Sequence, residues 1–186
     1  MDNFKILFIA LMAITLLTTS CGDDEVEIPI EEEVITTLNY TLTGAGTTVT
    51  LSFQDLDGDG GNAPTITGGT LAANTTYSGS LELLNESNPD DVEDITEEIE
   101  EEDEEHQFFF QTTGGISVTY DSEDVDADGN PIGLQNTLTT GAAGDGTVTV
   151  TLRHEPNKGG EGVADGDITN AGGETDIEVT FDVTVQ

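Results

Sequence analysis

The chain has 186 residues, of which 39 are acidic against three lysines and arginines, giving a formal net charge of −36. That charge excludes nucleic acid and anionic headgroups as partners of the body of the protein, and favours cations. A hydrophobic fraction of 34% leans towards disorder, but abundant glycine and threonine with short alternating apolar runs mark an all-β domain, and the length fits one domain with a moderate core.

The first segment, Met1 to Ser20, places Lys5 before an apolar run from Ile6 to Leu17. This is the layout of a secretory signal peptide and too short for a membrane span. Leu17-Thr18-Thr19-Ser20-Cys21 resembles a bacterial lipobox, although Thr18 stands where the common pattern has leucine. Cys21 is the only cysteine, so it has no disulfide partner within the chain. Acylated, it would hold the protein to a lipid bilayer. The alternative is an ordinary cleaved signal. Residues 21–33 read as an acidic tether with Pro29 in it, and residues 34–186 as the folded domain.

From Val34 the chain alternates, with Thr36, Leu38, Tyr40 and Leu42 on one face. Thr43-Gly44-Ala45-Gly46 turns it, and Val49, Leu51 and Phe53 complete a hairpin. Tyr77, Leu81 and Leu83 mark a further strand. Asn88-Pro89 has the chemistry of a helix start. Val92, Ile95 and Ile99 give a thin apolar stripe, so a short surface helix is expected there. Twelve of the sixteen residues from Asp90 to Glu105 are acidic, and like charges end the helix before His106. Strands follow around Phe108 and Phe110, Ile116 to Tyr120, Ile132 to Leu138, and Val148 to Leu152. Ile177, Val179, Phe181, Val183 and Val185 make the last and strongest. The expected fold is an all-β, immunoglobulin-like β-sandwich of about eight or nine strands with one short acidic helix.

Two kinds of motif bear on chemistry. Asp55-Leu56-Asp57-Gly58-Asp59-Gly60 and Asp124-Val125-Asp126-Ala127-Asp128-Gly129 share the form D-x-D-x-D-G. Alternate carboxylates around a glycine turn suit Ca²⁺, which makes Asp55, Asp57, Asp59, Asp124, Asp126 and Asp128 candidate ligands. In both, the twelfth position is not glutamate but Ile66 or Gln135. The alternative is an Asp-Gly turn between strands. His106 and His154 are the only histidines, and Glu105 and Glu155 adjoin them. Imidazole with carboxylate suits Zn²⁺ or Cu²⁺. From His106 to His154 the chain reads as a four-strand meander, and in a flat one the first and last strands lie three spacings apart, roughly 14 Å. Only a curled sheet, or strands divided between the two sheets, would join the histidines. Otherwise they are strand-end residues near the surface. No nucleophile elbow, H-E-x-x-H or phosphate loop is present, so no catalytic constellation is expected.

Taken together, the Cys21 lipobox, Glu31-Glu32-Glu33-Val34-Ile35-Thr36-Thr37, Asp55 to Gly60, Leu71 to Tyr77, Glu105-His106-Gln107-Phe108-Phe109, Leu152-Arg153-His154-Glu155-Pro156 and Gly172 to Asp176 resemble a group of Bacteroidota lipoproteins of uncharacterised role. Proteins of that group often carry the label "type 1 periplasmic binding fold". The label's two α/β lobes would need repeated strand–helix alternation, and this chain offers one helix candidate. Acidic Asp23-Asp24-Glu25 behind Cys21 likewise resembles the group's surface-export signal, which implies an outer-membrane location, surface-exposed or facing the periplasm. The expected function is a non-enzymatic, membrane-anchored lipoprotein that binds divalent cations for an outer-membrane partner. The alternative is an adhesion or recognition module whose acidic loops meet a basic protein or a glycan.

Overall fold

The computed structural model describes residues 33–58 and 61–186. Cys21, the tether up to Glu32, and Asp59 lie outside the described residues. Chain order gives β1 (Thr37–Gly44), β2 (Thr47–Gln54), β3 (Thr65–Thr67), β4 (Gly69–Leu71), β5 (Thr76–Asn85), β6 (Glu93–Asp94), α1 (Ile95–Glu101), β7 (His106–Thr112), β8 (Ser117–Tyr120), β9 (Gln135–Thr139), β10 (Gly144–His154) and β11 (Glu174–Val185). Three of these strands have only two or three residues, so eight substantial strands remain, within the expected number.

They form an all-β sandwich. One sheet runs β3-β2-β1-β5-β9-β8 with β6 added to β5, and the other runs β4-β11-β10-β7. The β4–β11 pair is parallel and the other ladders are antiparallel. A core between the sheets takes Leu38, Tyr40 and Leu42 from β1, Leu81 and Leu83 from β5, Phe108 from β7, and Val148, Val150 and Leu152 from β10. Strand β11 adds Ile177, Val179, Phe181, Val183 and Val185, while Glu178, Thr180, Asp182 and Thr184 between them are exposed. That two-residue period is why this segment is a strand with one wet face. Each buried side chain of this kind stabilises the fold by about 1.5–3 kcal/mol.

Two expectations need correction. The segment after His106 is not a meander. Strand β7 lies in the smaller sheet, the chain crosses to β8 and β9 in the larger one, and β10 returns beside β7. Alternation specifies which face of a strand is apolar, and both sheets offer the same apolar interior. The helix also starts later than Asn88-Pro89. Residues Glu93 and Asp94 pair with Asn85 and Leu84 of β5. Asp94 then caps α1, accepting a hydrogen bond from the Thr96 backbone N–H at 3.0 Å. Thr96 Oγ1 accepts the Leu83 N–H and donates to the Leu83 carbonyl, fixing α1 on β5. Ile95 and Ile99 are buried, whereas Val92 falls before the helix and is half-exposed.

Among the described residues, no helix is long and apolar enough to cross a membrane.

Candidate metal centre

Strand β7 begins and β10 ends at one rim of the sandwich. His106 and His154 are directly paired across these two strands. Their side chains share the inner face with Phe108 and Leu152, because residues two apart on a strand face the same way. The ring centroids are 4.7 Å apart with the planes tilted by 38°. His106 is fully buried and His154 nearly so. They are not surface strand ends, and the division of β7–β10 between the sheets is what unites them.

The acidic helix orients His106. At the end of α1 the Glu102 N–H donates to the Glu98 carbonyl, and the Glu102 carbonyl accepts the Glu105 N–H at 2.9 Å. The same carbonyl lies 3.1 Å from His106 Nδ1. A carbonyl only accepts, so Nδ1 carries a proton and Nε2 points its remaining site elsewhere. That site faces Glu33, whose Oε1 is 3.0 Å away. The approach is an ion contact without hydrogen-bond direction, and both Nε2 and Glu33 Oε2 are buried without a hydrogen-bond partner. A neutral Nε2 lone pair and a carboxylate this close repel unless a proton or a metal cation lies between them.

His154 is flanked on both ring nitrogens. Glu105 Oε2 is 3.7 Å from Nε2, and Asp176 Oδ1 is 3.9 Å from Nδ1. Asp176 owes its position to a β-bulge. Leu152 pairs with Ile177 and Arg153 with Thr175, so Asp176 is the extra residue of β11. A bulge re-aims a side chain that strict alternation would send outward, and the Asp176 side chain is 3% exposed. Beyond β10, Glu155 adopts φ +48° and donates its N–H to the Glu105 carbonyl at 2.7 Å. A non-glycine residue in that region is strained, by about 1–2 kcal/mol. Gly173 packs against this corner at φ +68°, where any Cβ would run into the His154 carbonyl oxygen.

Three overlapping groups at this rim bring potential ligand atoms within 4.8 Å of one another. They are His106 with His154 and Asp176, Glu33 with Glu102 and His106, and Glu105 with His154 and Glu155. Burial opposes charge on His106. The adjacent Glu33 carboxylate, the Glu102 carbonyl and Asp176 outweigh it, so the imidazole pKa is raised. The carboxyl of Glu98 is also raised, by partial burial and then by the charges of Glu33, Glu93, Glu102 and Glu101. This rim is a concentration of negative charge around two imidazoles.

The Asp loops behave differently. Asp124, Asp126 and Asp128 do not form a ligand group. Asp124 Oδ2 accepts the N–H groups of Gly133 and Gln135, both at 2.8 Å. Asp126 Oδ1 accepts from the N–H groups of Asp128 and Asn130, and Asp126 Oδ2 is 3.0 Å from Lys158 Nζ. Lys158 is buried and also donates to the Asp103 carbonyl. The Lys158 ammonium is thus the cation paired with one of the carboxylates that the Ca²⁺ reading of this loop calls on. In the first loop, Asp55 Oδ1 accepts the Gly58 N–H, and Asp57 accepts both the backbone and side-chain N–H groups of Asn62. These are turn-forming bonds on residues that are exposed or, for Asp55, half-buried. Among the described residues, which leave out Asp59, Asp55 and Asp57 are not joined in a ligand group.

Sequence reasoning missed Glu33, Glu102 and Asp176. Glu33 was assigned to the tether, Glu102 is one acid among many, and only the bulge brings Asp176 inward. No protein-family model matches the chain, and neither a curated protein nor a solved structure gives a match to it.

Proposed function

We propose that the protein is a non-enzymatic, membrane-anchored lipoprotein whose folded domain captures a divalent transition-metal cation at the rim shared by β7 and β10. The observation that carries this reading is the buried pair His106–His154, with His106 Nε2 left without a hydrogen-bond partner against the Glu33 carboxylate. His106, His154 and Asp176 form the ligand set, and Glu33 supplies a fourth donor. Two imidazoles with carboxylates suit Zn²⁺ or Cu²⁺ rather than Ca²⁺, which takes oxygen donors in larger number. The Nδ1–H bond to the Glu102 carbonyl is the outer support that metal-binding histidines use to fix their tautomer. Four donors around Zn²⁺ sit roughly 3.3 Å apart, from bond lengths of about 2.0–2.1 Å. His106, His154 and Asp176 already offer atoms within 4.8 Å of one another, and Glu33 Oε1 lies 3.0 Å from His106 Nε2, so side-chain movement is what would close the set.

Acylated Cys21 would set this domain on the outer membrane, where it holds the cation for a membrane partner. Calorimetric titration of the full chain in neutral detergent with Zn²⁺, Cu²⁺ and Ca²⁺ tests the reading. Micromolar or tighter binding of Zn²⁺ or Cu²⁺, lost in His106→Ala, is expected. No binding of either metal would leave adhesion or ligand recognition by the acidic loops as the better account.

A further inference from the structure

The proposed centre is sealed at His106, so an ion must reach it by a path. A cleft of about 450 Å³ borders it, lined by the nearly buried side chains of Glu33 and Asp176 and also by Asp55, Asp57 and Gly58, of which Asp57 and Gly58 are exposed. We infer that this cleft is the cation's access route, with Asp55 and Asp57 capturing the hydrated ion and Glu33 and Asp176 drawing it inward. The inference rests on the metal reading above and assigns a task to the first Asp loop that ligand geometry there does not.

Three observations support it. Glu33 forms part of the cleft wall and is also the contact of His106 Nε2. Its side chain is 8% exposed, and its Oε2 is buried without a hydrogen-bond partner. Asp176 likewise belongs both to the cleft wall and to the group containing the two imidazoles. Asp57, fully exposed, has a depressed pKa because the Asn62 N–H and side-chain amide stabilise its carboxylate. It is therefore ionised across the neutral range. Its bonds to Asn62 hold it in the turn while leaving it in solvent. Exposed carboxylates at the mouth of a low-dielectric cleft raise the local cation concentration and the association rate, with little effect on the final bound state. The acidic lining also selects the form of the cargo. A free hydrated cation enters, whereas an anionic metal chelate is repelled.

The competing path is on the other side of His154, where Glu105 is 55% exposed and Glu155 adjoins it. Stopped-flow mixing of the full chain in neutral detergent with Zn²⁺ at low ionic strength separates the two, using a fluorescent zinc indicator as competitor. The Asp55→Asn/Asp57→Asn double variant should slow association about 3–10-fold, leave dissociation unchanged, and lose the difference in high salt. The Glu105→Gln/Glu155→Gln variant, which removes the same number of charges, should slow association less than the first. Unchanged association in the first variant, or a larger slowing in the second, would overturn the route while leaving the centre intact. Failure of the wild-type chain to bind Zn²⁺ at equilibrium would overturn both.

Discussion

His106 and His154 face each other across the β7–β10 ladder with ring centroids 4.7 Å apart, although 47 residues separate them in the chain. The pairing depends on the chain placing β8 and β9 in the opposite sheet before returning as β10. A flat meander of the same strands would have kept the imidazoles apart.

Because His106 is fully buried, its removal should affect folding as well as binding. His106→Ala deletes the bond to the Glu102 carbonyl, opens a cavity and leaves Glu33 beside it without its cation. Metal-free stability should fall by about 1–3 kcal/mol, read from urea denaturation. This differs from a strand-end residue, which would cost almost nothing. His154→Ala should cost less, because its ring makes looser polar contacts.

The raised pKa of His106 gives stability a defined pH dependence. The groups facing it are Glu33, Glu102, Asp176 and His154. Its folded-state pKa lies above the ordinary 6.5, so its contribution is fully present below pH 6.5. That contribution is lost as pH rises through the raised value. Zn²⁺ competes with the same proton, so metal affinity should rise over that window. Urea midpoints of metal-free wild type and His106→Gln, compared across pH 5–8, measure the difference. Parallel curves would show that His106 carries no such linkage.

Lys158 and Asp126 give a prediction away from the histidines. Both side chains are buried, at 6% and 1% exposure. Burial raises the Asp126 pKa, but its bonds to Asn130 and Lys158 win and lower it. Lys158→Met should destabilise by about 3–5 kcal/mol, because it leaves a buried carboxylate unpaired. Pairing it with Asp126→Asn should restore part of the loss. The Asp126 contribution should persist above about pH 4 and fade as pH drops through its depressed value. Calcium should not alter the melting temperature of the wild type through this loop.

The anchor is tested separately. Cys21→Ala should abolish incorporation of labelled palmitate and move the protein from the detergent phase to the aqueous phase. Continued labelling would remove the lipoprotein reading without touching the metal centre.

Much of the fold was legible because alternation is a local signal. Ile177 to Val185 declares its buried face unaided, and the Thr43-Gly44-Ala45-Gly46 turn is realised with positive φ at Ala45 and Gly46. The division of strands between sheets was not legible, since Phe108 and Leu138 are apolar in the same way yet belong to different sheets. The centre was half legible. The rarity of histidine picked out His106 and His154, whereas Asp176 depends on a bulge defined only against β10. Nothing local in the sequence marks Lys158 as buried, because its burial comes from the packing of three distant segments.

The most direct measurement of the central claim is X-ray absorption at the zinc edge of the Zn²⁺-loaded full chain. The account predicts two imidazole nitrogens and carboxylate oxygens at about 2.0–2.1 Å, with one imidazole lost in each single histidine variant. A shell of oxygen donors alone, unchanged by His106→Ala and His154→Ala, would contradict it.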